Sequence, residues 1–262
     1  MKEFFALALI AILMIACGGP PKVSNSDVRS GPALEQPASG KPYKTVEIDS
    51  EDGTPIYGSM YAADKANSPA LLLLHQWQSD RHSFDDFGAM MQSKGFAVLA
   101  IDGRGFGESN HHANGSMLEA GRTDADVKAM LGDVDAAFNY LSKQPNVDPA
   151  KVGMVGASYG SSLAIIYAAD HPNVAAVALL SPGLDYFGNM PTEPAVKKYG
   201  DRPLYMAAAE DDKESADSVR TLAADDPKAS QKVYSSGGHG QALFKVGVAD
   251  ELERFLTANL QK

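Results

Sequence analysis

Ser158 stands in the pentapeptide Gly156-Ala157-Ser158-Tyr159-Gly160. A serine with glycine two places away on either side suits a tight turn from which one hydroxyl projects, as acyl transfer requires of a nucleophile. A serine hydroxyl is a poor nucleophile until a base takes its proton. Six histidines are available: His75, His82, His111, His112, His171 and His239. Only His239 follows the last apolar run, in Ser236-Gly237-Gly238-His239-Gly240, where glycines leave the ring free to swing over a serine. The other five read as surface or satisfied core residues. A base in turn needs a carboxylate that fixes its tautomer and stabilises the imidazolium. The run at 204–209 ends in Glu210-Asp211-Asp212, so either aspartate is a candidate, and the chain order is serine, aspartate, histidine.

These groups meet only if the elements between them bring them to one edge. Residues 43–49 and 55–61 read as a hairpin of half-buried strands turning at Glu51-Asp52-Gly53. Apolar runs follow at 70–74, 96–101, 152–155, 174–180, 204–209 and 232–235. Helical stretches near 83–94, 124–143, 159–171, 215–224 and 248–260 separate or follow them. Short unbroken apolar strands alternating with helices predict a parallel sheet covered on both faces. Right-handed crossovers then put every strand-to-helix loop on one edge, where functional residues collect. Ser158, at the junction of a strand and a helix, lies on that edge.

With these residues in place the sequence resembles the α/β-hydrolase fold family over nearly all of the chain from Tyr43. His75-Gln76-Trp77 is placed like the family's oxyanion loop, and 102–109 (Asp-Gly-Arg-Gly-Phe-Gly-Glu-Ser) looks like its turn after the next strand. Asp148-Pro149-Ala150-Lys151-Val152-Gly153 is similar to its lead-in to the nucleophile strand. The likeness is closest to dienelactone-hydrolase-like and esterase-like members, although dienelactone hydrolases carry cysteine where Ser158 stands. The resemblance implies an α/β fold with a mostly parallel eight-stranded sheet, helices on both faces and a minimal lid. Its spacing from Pro203 favours Asp212 over Asp211 as the acid. It also implies an oxyanion hole made by the backbone amides of Trp77 and Tyr159. The implied activity is hydrolysis of small carboxylic esters through an acyl-enzyme on Ser158, with His239 as base and no metal or organic cofactor. A serine peptidase or other acyl-transfer enzyme on the same fold, or a tethered binding protein without catalysis, are the alternatives. The 182–202 stretch leaves little room for a helical cap, so an open site is expected.

Two further patterns are weaker. Gly103-x-Gly105-x-Gly107 falls one residue short of the dinucleotide fingerprint and reads as a tight turn. His111-His112 with Glu119 lacks the helical spacing of a metal site.

Composition narrows the partners. The formal charge of −10 disfavours contact with phosphate backbones, so no nucleic-acid partner is expected. The sole cysteine is Cys17, which excludes an intrachain disulfide. Lys2 precedes an apolar run at 4–16, too short for a membrane span of about 20 residues but suited to the core of a secretory signal. Its end, Met14-Ile15-Ala16-Cys17, resembles the bacterial lipobox. That resemblance implies a signal peptide at 1–16, acylation of Cys17 and lipid anchoring to a bacterial envelope membrane. Prolines scattered among Ser, Gly and Asn then make 17–42 a flexible tether, and 43–262 the hydrolase domain.

Overall fold

A computed structural model describes residues 42–262. The expected leader at 1–16, Cys17, and the tether at 17–42 apart from Pro42 lie outside the described residues.

The first strands, β1 (Lys44–Asp49) and β2 (Pro55–Tyr61), pair antiparallel. Their turn closes through Gly53 N–H to Ser50 O at 2.9 Å, with Gly53 at φ 78°. Next come β3 (Ser68–Leu74), a short 3-10 turn at Arg81–Phe84, α1 (Asp85–Ser93) and β4 (Ala97–Ile101). The helix α2 (Asp124–Ser142) starts at a capping box in which Thr123 and Asp126 satisfy each other's backbone amides. Then follow β5 (Val147–Ala157), α3 (Tyr159–Asp170) and β6 (Val174–Leu180). A two-strand ribbon, β7 (Asp185–Tyr186) and β8 (Met190–Pro191), leads into α4 (Thr192–Tyr199). The chain ends with β9 (Leu204–Ala209), α5 (Lys213–Asp225), β10 (Ser230–Tyr234), a 3-10 segment at Gly240–Val246 and α6 (Val248–Leu260).

Eight strands form one sheet in the order β1-β2-β4-β3-β5-β6-β9-β10, with β1 and β10 outermost. β1 and β2 run antiparallel to their neighbours, and the remaining pairings are parallel. The expected mostly parallel eight-stranded sheet is therefore present. Alternate residues of a central strand feed opposite cores. Leu72 and Leu74 pack with Phe138 of α2 and Ile165 of α3, whereas Leu71 and Leu73 pack with Phe87 of α1 and Leu252 of α6. Because both faces are covered, β3 is apolar nearly throughout and all seven of its residues are buried. Each fully buried leucine contributes roughly 2 kcal/mol of transfer free energy, so the center of the sheet is a rigid platform.

The segment between β6 and β9 holds two elements that apolar periodicity does not announce. Three residues, Phe187, Gly188 and Asn189, join the two strands, and the turn closes through Asn189 N–H to Tyr186 O at 3.4 Å with Phe187 and Gly188 at φ 65° and 77°. It is fastened by Met190 N–H to Asp185 Oδ1 at 2.7 Å and Thr192 N–H to Leu184 O at 2.8 Å. The eight-residue α4 buries Ala195, Val196 and Tyr199 in the core, and Thr192 Oγ1 meets Ser162 Oγ of α3 at 2.8 Å. It is therefore part of the wall beside α3. Among the described residues no helix is long and apolar enough to cross a membrane.

Candidate active site

Parallel pairing sets the ends of β3, β5, β6, β9 and β10 along one edge. Ser158 follows β5 directly, at φ 55° and ψ −126°, outside the regions open to ordinary L-residues. Such a conformation costs roughly 1–3 kcal/mol and persists only where its surroundings enforce it. Ser158 N–H donates to Leu180 O at 2.8 Å, while Ser158 O accepts from the Ser161 amide and hydroxyl. The flanking glycines are required by contact. A Cβ on Gly156 would lie 2.1 Å from Gly160 O, and one on Gly160 would lie 2.6 Å from the carbonyl oxygens of His75 and Leu74.

Ser158 Oγ lies 2.7 Å from His239 Nε2, and His239 Nδ1 lies 2.7 Å from Asp212 Oδ2. The tautomer that satisfies both contacts carries its proton on Nδ1, donates to Asp212 and accepts from the serine. The structure thus brings Ser158, His239 and Asp212 into one chain of hydrogen bonds. Asp211 faces elsewhere and accepts from the backbone amides of Gly237 at 3.1 Å and Gly238 at 3.0 Å. Those amides hold its carboxyl below the ordinary carboxylate range.

All three members of the chain occupy N-cap positions, Ser158 before α3, Asp212 before α5 and His239 before the segment at 240–246. None of their side chains caps the helix that follows. Serine and aspartate are preferred caps because a side-chain oxygen can take an orphan N–H. Here both turn away toward the imidazole, and the N-terminus of α3, which follows Ser158 directly, keeps free amides beside the place where negative charge would develop.

The His239 loop is fixed from three sides. Besides the Asp211 contacts, Gly240 N–H donates to Ser181 Oγ at 2.9 Å. Gln241 N–H donates to Gln76 Oε1 at 3.0 Å, and Gln76 N–H returns to Gln241 Oε1 at 3.2 Å. Gln76 belongs to the same loop as Trp77. That loop is anchored by buried His75, whose Nδ1 donates to Gln76 O at 2.7 Å and whose Nε2 accepts from Gly103 N–H at 2.9 Å. Burial holds the His75 pKa below its ordinary value, which keeps the ring neutral for this double role.

Of the two amides expected to serve an oxyanion, Tyr159 N–H is at the first position of α3, where no intrahelical acceptor exists. Trp77 sits in a turn closed by Ser79 N–H to Gln76 O at 3.2 Å, with Gln78 at φ 59°. Leu74 and Gly156 are paired across the ends of β3 and β5, so both residues emerge at the same edge.

Several residues at this edge escape a reading of the sequence. Tyr186 donates its hydroxyl to Ser181 O at 3.0 Å. Burial raises its pKa, with the Ser158 and Ser215 hydroxyls pulling the other way. Phe187, Phe106 and Tyr159 surround the Trp77 ring at centroid separations of 4.8, 4.9 and 5.3 Å. The Arg122 guanidinium lies 4.8 Å from the Trp77 ring centre and 5.0 Å from that of Phe187. The only signal for the ribbon in the sequence is the Gly188-Asn189 pair.

The remaining patterns are structural. The glycines at 103, 105 and 107 lie in a compact turn held by Phe106 N–H to Gly103 O and Gly105 N–H to Ser109 O. Asp102, fully buried at its start, accepts from the Arg81 amide and guanidinium and from the Glu108 amide. His111 pairs with Met117 across an isolated bridge. Among the described residues no group of three or more His, Cys, Asp or Glu is arranged to hold a metal.

Known proteins agree with this architecture. The family profile described as "Serine aminopeptidase, S33" matches residues 65–213, more than half of the chain, a span that includes Ser158 and Asp212. A thiohydrolase from Aspergillus aculeatus is 30% identical over 126 residues, covering 48% of this chain and 37% of the relative. The chain spans from about a third to just under two thirds of the length of the curated relatives it matches. Among solved structures, an esterase from Pyrococcus furiosus superposes with a TM-score of 0.66 at 17% identity, covering 83% of this chain and 91% of the esterase. A dienelactone hydrolase from Anabaena variabilis superposes with a TM-score of 0.64 at 16% identity, covering 83% and 98%. The sheet order, the strand–serine–helix turn and these likenesses converge on one conclusion: the chain has the α/β-hydrolase fold and belongs to the serine aminopeptidase S33 family.

Proposed function

We propose that this protein is a serine hydrolase that cleaves small, accessible carboxylic esters through an acyl-enzyme on Ser158. The observation that carries the reading is the unbroken Ser158–His239–Asp212 relay, with 2.7 Å at each step. His239 takes the hydroxyl proton as Ser158 Oγ attacks the ester carbonyl, and Asp212 steadies the imidazolium so formed. The Trp77 and Tyr159 amides serve the oxyanion, at about 3 kcal/mol for each donor. Collapse of the tetrahedral adduct expels the alcohol, which receives the proton from His239. Water, deprotonated by the same imidazole, then attacks the acyl-serine, and the carboxylic acid leaves with Ser158 restored.

The modest cover over the site supports short acyl groups, since a large apolar chain needs more enclosing surface. The family's description and the thiohydrolase relative favour a second reading, in which a thioester or amide is the bond broken by the same steps. The test is fluorophosphonate labelling followed by rates on matched nitrophenyl esters, thioesters and anilides of two to twelve carbons. Labelling that disappears in Ser158→Ala, with short esters fastest, supports the proposal. Equal labelling of both proteins removes it, and faster thioester or anilide turnover selects the second reading.

The lipobox-like sequence around Cys17 supports membrane anchoring of the domain in a bacterial envelope. Under this reading Cys17→Ser moves the protein from the detergent phase to the aqueous phase on Triton X-114 partition, and an unchanged partition rejects it.

A further inference from the structure

Arg122 differs from the other arginines at described positions. Arg81, Arg104, Arg220 and Arg254 are ion-paired. Arg202 donates to the carbonyl oxygens of Ala168, His171, Val174 and Tyr199. The Arg122 guanidinium has neither kind of partner among the described residues, in a chain whose formal charge is −10. Instead it rests on the Trp77 and Phe187 rings, which come from two different loops of the site. Two aspartates that follow it closely in sequence are engaged elsewhere. Asp124 accepts from Asn189 Nδ2 at 3.0 Å, and Asp126 accepts from the Thr123 amide and hydroxyl at 2.8 and 2.7 Å.

The support beneath this arginine is built rather than incidental. Asn189 Nδ2 also donates to Arg122 O at 3.0 Å, tying the hairpin tip to the arginine's own backbone. Phe187 reaches the cluster only by holding φ 65°, a conformation that bulky side chains rarely adopt. The ring contacts engage the charge of the guanidinium and none of its N–H donors, which form the planar fork that matches a carboxylate.

We propose that Arg122 is a carboxylate-binding residue, and that the substrates are esters bearing a second, anionic carboxylate beside the bond that is cut. The inference rests on Ser158 being the nucleophile, because the ring under Arg122 belongs to the residue whose amide would face the oxyanion. On this proposal a substrate held at Ser158 extends along the Trp77 ring toward the guanidinium, 4.8 Å from that ring's centre.

Two matched substrate pairs test this. One carries the charge on the acyl group (4-nitrophenyl hemiglutarate against 4-nitrophenyl pentanoate), the other on the leaving group (4-carboxyphenyl butyrate against phenyl butyrate). The wild type should favour the anionic member of one pair by about tenfold in kcat/KM, the scale of one partly solvated charged hydrogen bond. Arg122→Gln should abolish that preference, Arg122→Lys should keep part of it, and added salt should weaken it. No anionic preference in the wild type, or an equal loss on charged and neutral esters in Arg122→Gln, overturns the proposal. Trp77 is the chain's only tryptophan, so intrinsic fluorescence gives a readout that needs no turnover. Monomethyl glutarate titrated into Ser158→Ala should change the emission saturably, and the change should vanish when Arg122→Gln is added. A flat titration of Ser158→Ala overturns carboxylate binding even if esters are hydrolysed. A saturable one supports it even if they are not.

Discussion

The loop that carries His239 and the hairpin that carries Phe187 border the same edge of the sheet, yet different forces hold them. The first is fixed by directional bonds: two glycine amides on Asp211, the Gly240 amide on Ser181, and the reciprocal pair of Gln76 and Gln241. The base of the second is also tied by hydrogen bonds, from Met190 N–H to Asp185 and from the Tyr186 hydroxyl to Ser181 O, but its tip at Phe187 leans on ring contacts and one asparagine. A proton relay tolerates little misplacement, because an error of about 1 Å can cost a hundredfold in rate. A wall that receives a substrate gains from contacts that tolerate small slides, as edge-to-face rings do. The arrangement therefore assigns precision to the side that moves protons and adaptability to the side that meets the ligand.

The largest effect should come from the relay itself. Ser158→Ala or His239→Ala should lower kcat by roughly a millionfold on any ester that is turned over, read by steady-state kinetics with the folded state checked by circular dichroism. Asp212→Asn should cost roughly ten-thousandfold in kcat, because the amide stabilises the wrong tautomer of His239.

Asp211→Ala tests whether the loop's directional bonds matter apart from the relay, and should cost about 10- to 100-fold with the triad intact. The amides of Gly237 and Gly238 favour the charged form of Asp211 in the folded protein, so its folded pKa lies below the ordinary 3.8. The tether is therefore complete above that ordinary value and is lost as pH falls through the lower, folded one. Loop protection in hydrogen exchange should persist at pH 5 and weaken only in stronger acid.

On the other side, Tyr186→Phe leaves Ser181 O without one donor and should lower unfolding free energy by about 1 kcal/mol, measured in urea. Phe187→Ala should have the smallest effect on chemistry, raising KM several-fold and moving kcat less. If Phe187→Ala instead damaged kcat as much as Asp211→Ala, the contrast between the two sides would fail.

The sheet could be read from sequence because its central strands are buried on both faces, which turns each into an unbroken apolar run. Leu71 to Leu74 show this directly. The serine turn was equally plain, since close backbone approach allows only glycine at 156 and 160. The ribbon was not, because two-residue strands carry no period, and α4 was missed because Pro194 lies within its first turn. Between Asp211 and Asp212 the sequence offers only the spacing from Pro203, which the resemblance reads in favour of Asp212; what separates the two in the fold is where a helix begins and where two glycine amides point. Arg122 was hidden for a related reason: what singles it out is that it has ring contacts but neither an ion pair nor a carbonyl acceptor among the described residues, a property of the folded surface.

The two outermost strands have a consequence for solubility. Every open sheet ends in rows of amide and carbonyl groups that another chain could extend. At one margin Thr45, Glu47 and Asp49 are exposed, and at the other Ser230, Gln231 and Lys232 are. A neighbouring molecule adding its own strand at either margin would have to strip water from these carboxylates or from the ammonium. Fibrous stacking is thereby discouraged by the margin residues themselves.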